Sequence, residues 1–354
     1  MALIQTLTYR KTKYQNLVLG LMGIALASVS VLSLSIGAFH IPISHVLGIL
    51  ADTLGLGFID YSQQEYNVLL QIRLPRIMMA VLVGGGLGVT GAALQGLFRN
   101  PLVEPGLIGI SSGGALFAVV FIVFGSSLPF LGYFGGIGLP LFAFLGGLIN
   151  TLLVYKMGST TGKTDISLLI LAGVALNALS GALIGLVIFY ADDAALRNFT
   201  FWSLGDVGGA NWSKVGISFL LISGPVMLVL SQFKNLNALS IGENEAFHMG
   251  VDVQKVKYIL LFSSAMIVGT AVAFTGTIGF VGLIVPHLIR MMFGADHRLV
   301  LPGSLLLGAF LLTFADLLAR TIVMPSEMPI GIITAIIGAP FFIWLIINVK
   351  KIRS

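Results

Sequence analysis

Hydrophobic and polar positions in this chain do not alternate; they separate into blocks. Apolar runs of roughly twenty residues are interrupted by short clusters of charge, Pro and Gly. Such runs read as helices crossing a bilayer, whose hydrocarbon core takes about 20 apolar residues to span. The blocks predict ten spans, near 15–38, 74–97, 106–125, 130–154, 168–190, 214–233, 256–274, 278–293, 300–320 and 329–348. The eighth is the shortest and carries Pro286. It is expected to be buried among its neighbours, where a broken helix is tolerated. The expected fold is an all-α integral membrane protein with about ten transmembrane helices, forming a single transmembrane domain over residues 1–354.

Within the spans, small residues recur every four positions. Ala80, Gly84, Gly88, Ala92 and Gly96 do so on the second, Gly173, Asn177, Gly181 and Gly185 on the fifth, and Ala265, Gly269, Ala273 and Thr277 on the seventh. These stripes let helix backbones approach closely in lipid, where packing rather than hydrophobicity drives association. They imply a densely packed bundle. The Gly-rich textures of the second and seventh spans, which run in opposite directions, hint at an inverted repeat.

Composition strengthens the membrane reading. Of 354 residues 57% are hydrophobic and 9% charged, where a soluble domain carries about 25% charge. No Asp, Glu, Lys or Arg occurs over 105–155 or over 258–289. Cysteine is absent, which excludes disulfides, thiolate metal sites and a cysteine nucleophile. The net charge of +5 comes from scattered loop residues rather than a basic stripe. With the N-terminus inside, five of the 19 Lys and Arg (Arg73, Arg76, Arg197, Lys214 and Arg320) fall outside and the other 14 inside. That bias fits the positive-inside rule and an even number of spans. Arg10, Lys11 and Lys13 precede a long apolar run without a small-residue cleavage site, as expected of an uncleaved first span.

Candidate chemistry is sparse. GSTTGKT at 158–164 falls one residue short of a phosphate-binding loop and follows a span, not a strand, so no nucleotide site is expected here. Intramembrane ionisable groups are functional candidates by default. Here, however, Asp316 lies four residues from Arg320, and His287 follows Pro286, whose loosened backbone can satisfy it; both read as structural. No His, Asp and Glu cluster suits a metal or an acid–base pair, so an enzyme is not expected. The segment 236–252 is different. Leu239, Ala246, Phe247 and Met249 suit one apolar helical face, with Glu243 and Glu245 near a helix start. Such a segment docks on a partner or lies on the membrane; the second needs basic residues, which come only at Lys255 and Lys257.

Ordered motifs then carry a resemblance. These are RLPR (73–76), QGLFRNPLVEPGLIG (95–109), SSGG (111–114), LSIGENEAFHMGV (239–251), GFVGLIVPHLIR (279–290), DHRLVLP (296–302), ADLLAR (315–320), PSEMPIG (325–331) and TAIIGAPFF (334–342). From about residue 73 to the end, the chain resembles the permease subunits of bacterial importers for iron complexes and vitamin B12. These are the FecCD-type, type II ABC importers, and within them the chain is most similar to haem permeases. The resemblance implies a homodimer in the bacterial inner membrane with both termini cytoplasmic. Two ATPase subunits would sit below it, holding ATP and Mg, while this chain binds no cofactor. A periplasmic or lipid-anchored substrate-binding protein would dock from outside. It assigns ATPase coupling to Leu239, Gly242, Glu243, Ala246, Met249 and Gly250. Docking of the binding protein falls to Arg73, Arg76 and Arg320, against the simpler reading that these arginines snorkel to head groups. The cytoplasmic gate falls at Asn100, Leu102, Asp165 and Ser167. The cargo implied is a metal chelate: haem, cobalamin or a ferric siderophore. The rival function is a secondary transporter driven by an ion gradient, which needs midplane carboxylates that the charge-free windows lack.

Overall fold

The computed structural model describes residues 2–56, 60–125, 136–160 and 163–353. Ten helices coincide one for one with the ten predicted spans. They are α1 (Ala2–Ser35), α4 (Leu74–Phe98), α5 (Ile110–Phe124), α6 (Gly138–Met157), α7 (Ile166–Phe189), α9 (Trp212–Ser231), α12 (Val253–Thr275), α13 (Val281–Phe293), α14 (His297–Thr321) and α15 (Ile330–Arg353). The first residues of the predicted fourth span, 130–135, lie outside the described residues. Among the described residues, seven helical stretches are long and apolar enough to cross a membrane alone. α13 is not among them. Its 13 residues rise only about 20 Å at 1.5 Å each, and it packs between α4, α14 and α15. That is the buried placement expected of the Pro286 span.

Short elements fill the connections. α2 (Ile43–Asp52), α3 (Gln63–Asn67) and a π-helical stretch (Val68–Arg73) lead into α4. Ser62 and Glu65 form a reciprocal cap at the start of α3. A 3₁₀ turn (Pro105–Ile108) precedes α5, and a two-stranded hairpin, β1 (Ser159–Thr160) and β2 (Lys163–Thr164), precedes α7. α8 (Asp193–Ser203) follows α7, and α10 (Phe233–Leu239) and α11 (Glu243–His248) join α9 to α12.

α4 and α12 form the centre. Among the described residues, the core gathers Val83, Leu87, Leu94 and Leu97 of α4 with Leu260, Ile267 and Val268 of α12. The small-residue stripe of α4 is what brings α14 so near. A methyl group on Gly88 would lie 2.2 Å from the Ser304 carbonyl oxygen, and one on Gly84 2.4 Å from that of Gly308. Two poles result. One holds the ends of α1 and α14 and the start of α4, with their arginines; the other holds the β1–β2 hairpin, α10, α11 and the start of α14.

Candidate functional site

At the arginine pole, three guanidinium groups converge on one carboxylate and one helix end. Arg76 Nη2 lies 2.8 Å from Asp316 Oδ1, and Arg320 Nε lies 3.2 Å from Asp316 Oδ2. Arg73 donates to the carbonyls of Leu34, Ser35 and Phe39. Arg320 donates to Ser33 and Ile36. The arginines therefore cap the C-terminus of α1, where orphan carbonyls and the helix dipole favour cations. Gly37 leaves them room, since a methyl there would lie 2.8 Å from Arg73 Nη2.

Arg73, Arg76 and Arg320, the residues expected to meet the binding protein, are buried in this chain rather than exposed. They are only 5%, 6% and 7% exposed, and their donors are engaged within the chain. Turned inward, they do not reach toward head groups as snorkelling would require. The physical reason is Asp316: a carboxylate 1% exposed needs cationic partners, and it draws in Arg76 from a different helix. Among the described residues, Glu327, 51% exposed and 2.8 Å from Arg76 Nη1, brings the network to the surface. The Asp316–Arg320 pair itself is found as the sequence placed it. His287 is half-buried, its ring edge-on to Phe341 at 6.1 Å.

At the hairpin pole, the segment 236–252 forms two short helices rather than one amphipathic face. The break at Ile241 and Gly242 splits the predicted stripe. Leu239 and Ala246 are fully buried and Gly242 is buried with them, so these three anchor the segment instead of meeting a partner. Phe247 and Met249 point outward, 67% and 63% exposed, joined by Ile241 at 65%. Ile241 gave no signal in the sequence because a single helical face excludes it. Gly250 (φ 84°) is exposed and turns the chain in the left-handed region. Glu243 is half-buried, and its carboxylate pairs with Lys257 Nζ at 2.8 Å. An open cleft of about 920 Å³ lies alongside, lined by Lys163, Glu243, Asn244, Phe247, Asp252 and Gln254.

The four candidate gate residues are exposed at this same pole. Arg99 (φ 50°) ends α4 in the left-handed conformation, and the Asn100 side chain accepts from the Leu102 amide at 3.0 Å. Asp165 caps α7, accepting from the amides of Ser167 and Leu168. The 3₁₀ turn links these two turns: Asn177 of α7 donates to the Gly106 carbonyl, and Gly173 packs on that of Leu107. Glu104, between them, has no ion-pair partner among the described residues, and burial pushes its carboxyl up. Within GSTTGKT, Ser159–Thr160 pairs with Lys163–Thr164 as β1 and β2; Thr161 and Gly162 lie outside the described residues. No group of three or more His, Cys, Asp or Glu suited to a metal occurs among the described residues.

Comparison with known proteins agrees with this arrangement. Residues 8–348 match the FecCD transport family. The hemin transport system permease protein HmuU of Yersinia pestis is 47% identical over 291 residues, covering 82% of this chain and 86% of its own. The vitamin B12 import system permease protein BtuC of Vibrio vulnificus is 40% identical over the same shares. A solved structure described as an inward-facing conformation of a metal-chelate type ABC transporter superposes with a TM-score of 0.81 at 34% identity, covering 94% of this chain and 99% of that one. With buried arginines at one pole, an outward-facing apolar edge at the other and a family match along nearly its whole length, the chain belongs to the FecCD transport family.

Proposed function

We propose that this chain is the permease subunit of an ABC importer that carries a metal chelate, haem foremost, into the bacterial cytoplasm. The observation that carries the reading is the α10–α11 segment. Buried Leu239 and Ala246 fix it to the bundle while Ile241, Phe247 and Met249 stand outside, Phe247 at the edge of an open cleft. Large apolar side chains on a rigid, polar-rimmed ledge are what a protein partner buries. In this reading the partner is an ATPase subunit, the hairpin pole is cytoplasmic, and two copies of the chain flank the pathway. A substrate-binding protein docks at the arginine pole. There, a partner carboxylate reaches Arg76 by replacing the exposed Glu327.

The turns at Asn100 and Leu102 and at Asp165 and Ser167 then form the inner gate. Pro101 and Pro105 prevent α4 from continuing into α5, and Pro105 instead opens the 3₁₀ turn before α5, so the connection is short and stiff. Haem is favoured by the 47% identity to a hemin permease over 82% of the chain; cobalamin and ferric siderophores are the nearest alternatives. A carrier driven by an ion gradient needs an available carboxylate inside the bundle. Asp316, held by Arg76 and Arg320, is not one.

Uptake by proteoliposomes containing this chain, its ATPase and its binding protein tests the reading. Haem uptake is expected to require internal ATP and to exceed that of cobalamin or a ferric siderophore. Uptake driven by a proton or sodium gradient without ATP would overturn it. Substituting both Phe247 and Met249 by Glu is expected to release the ATPase while the bundle stays folded, read by co-purification.

A further inference from the structure

The notable polar contact of the hairpin pole is made by a lysine that no motif singles out. Lys257, in the first turns of α12, is 2% exposed. Its ammonium donates to the Thr164 carbonyl at 2.7 Å and to Glu243 Oε2 at 2.8 Å. One buried cation thus joins the first residue of α11 to the last residue of β2. Neither contact follows from local sequence, since Glu243 and Thr164 lie 14 and 93 residues away. Gln254, one turn earlier on α12, accepts from the Thr164 amide at 2.9 Å. Both backbone groups of Thr164 are therefore held by α12. The next residue is Asp165, whose side chain starts α7.

The surroundings make this a linkage rather than local glue. α12 is the central post of the bundle, packed on α4, α5, α6 and α9. α11 and the hairpin are peripheral and meet on the same ammonium. A buried charge that loses one partner must keep another, because an uncompensated ion in a low-dielectric setting is costly. Lysine suits the junction, as its point charge can serve a carboxylate and a carbonyl at once. When Glu243 is drawn away, the ammonium's hold on Thr164 must readjust. Glu243 is also the member of the junction that reaches solvent, at the lip of the cleft.

We infer that Lys257 is a positioning residue that transmits displacement of α11 to the hairpin and so to the start of α7. This rests on the reading of α11 as the ATPase contact and of Asp165 and Ser167 as part of the gate. Gln254 holds the second bond of the same clamp.

The test compares wild-type, Lys257→Met and Lys257→Arg permeases, each assembled with its ATPase and binding protein in proteoliposomes. Methionine keeps the volume and removes the charge. Lys257→Met is expected to retain ATPase binding and basal hydrolysis while transport per ATP falls about tenfold, within the range of site-to-site couplings. Lys257→Arg is expected to recover part of that ratio. A spin label at Ser167 is expected to shift its copy-to-copy distance with nucleotide in wild type and to stay fixed in Lys257→Met. If Lys257→Met fails to assemble, Gln254→Met, which removes only the bond to the Thr164 amide, reads the same ratio. An unchanged ratio and an unchanged nucleotide response in an assembled variant would overturn the inference. Absence of ATP-driven uptake in wild type would instead overturn the function on which it rests.

Discussion

Helices α4 and α7 carry the same four-residue spacing of small side chains and live in opposite surroundings. The most apolar window of α4 and its lead-in is 83% buried, against 17% for α7. On α4 the stripe is consumed within the chain. Beyond Gly84 and Gly88, a methyl on Gly96 would lie 2.5 Å from His297 Nε2. On α7 only the first glycine is used, where Gly173 meets the Leu107 carbonyl; a methyl added to Gly181 or Gly185 would meet nothing within 4 Å. Leu179, Leu186 and Phe189 on the same half are 53%, 55% and 81% exposed. A small-residue stripe therefore permits close approach without saying what approaches. For α4 the partner is α14, sealed by the Arg76–Asp316 pair. For the outer half of α7 it lies outside this chain, in lipid or in a second copy.

Unsealing α4 is the most damaging change. Asp316→Ala leaves Arg76 and Arg320 buried without their carboxylate, and such losses cost about 3–5 kcal/mol. The expected result is a sharply lowered midpoint of thermal unfolding in detergent, or no folded protein. Gly88→Val attacks the same interface by overpacking, with an expected cost of about 3 kcal/mol; a variant as stable as wild type would mean that α4 and α14 are not in backbone contact. The matched substitution Gly181→Val on α7 is expected to change stability by less than about 0.5 kcal/mol, as open surface sites do. If α7 faces a second copy, that variant lowers transport while leaving the fold intact. Equal destabilisation by Gly88→Val and Gly181→Val would erase the distinction.

A slighter change is expected at Glu104, beside the 3₁₀ turn that packs on α7. Burial raises its folded-state pKa, so the folded chain holds the proton more tightly than the unfolded one. The protonated carboxyl is no burden below the ordinary glutamate value. Stability is then lost as pH rises from that value through the raised one. Glu104→Gln is expected to flatten this slope and to raise stability slightly at neutral pH, read as the unfolding midpoint across pH.

Legibility followed length scale. The ten spans could be read because a bilayer demands a minimum apolar run, and each run became a helix. α2, α3 and α8 could not, being shorter than any such demand and set by capping and by tertiary contact, while α10 and α11 read as a single helical face with a start near Glu243. The site was legible in part. Phe247 and Met249 stand out as the apolar residues of a soluble-side segment should, and Asp165 and Ser167 are exposed where a turn between spans must be. The burial of the arginines was not legible, because a charge at a span end can turn either way. What turns Arg76 inward is Asp316, 240 residues on, and what holds Arg73 is the end of α1. Lys257 gave no signal, since its two partners meet only in the folded chain.

In the proposed importer the start of α7, hung on the hairpin, faces its own copy and moves once per transport cycle. This chain has no cysteine, so a single cysteine at exposed Ser167 reports on that position alone. Oxidative crosslinking of the assembled importer with and without nucleotide measures the movement directly. A covalent pair of permease chains is expected to form strongly in one nucleotide state and weakly in the other, and its formation is expected to stop uptake. No crosslink in any state, or equal crosslinking in all states with uptake unchanged, would contradict a gate at this position.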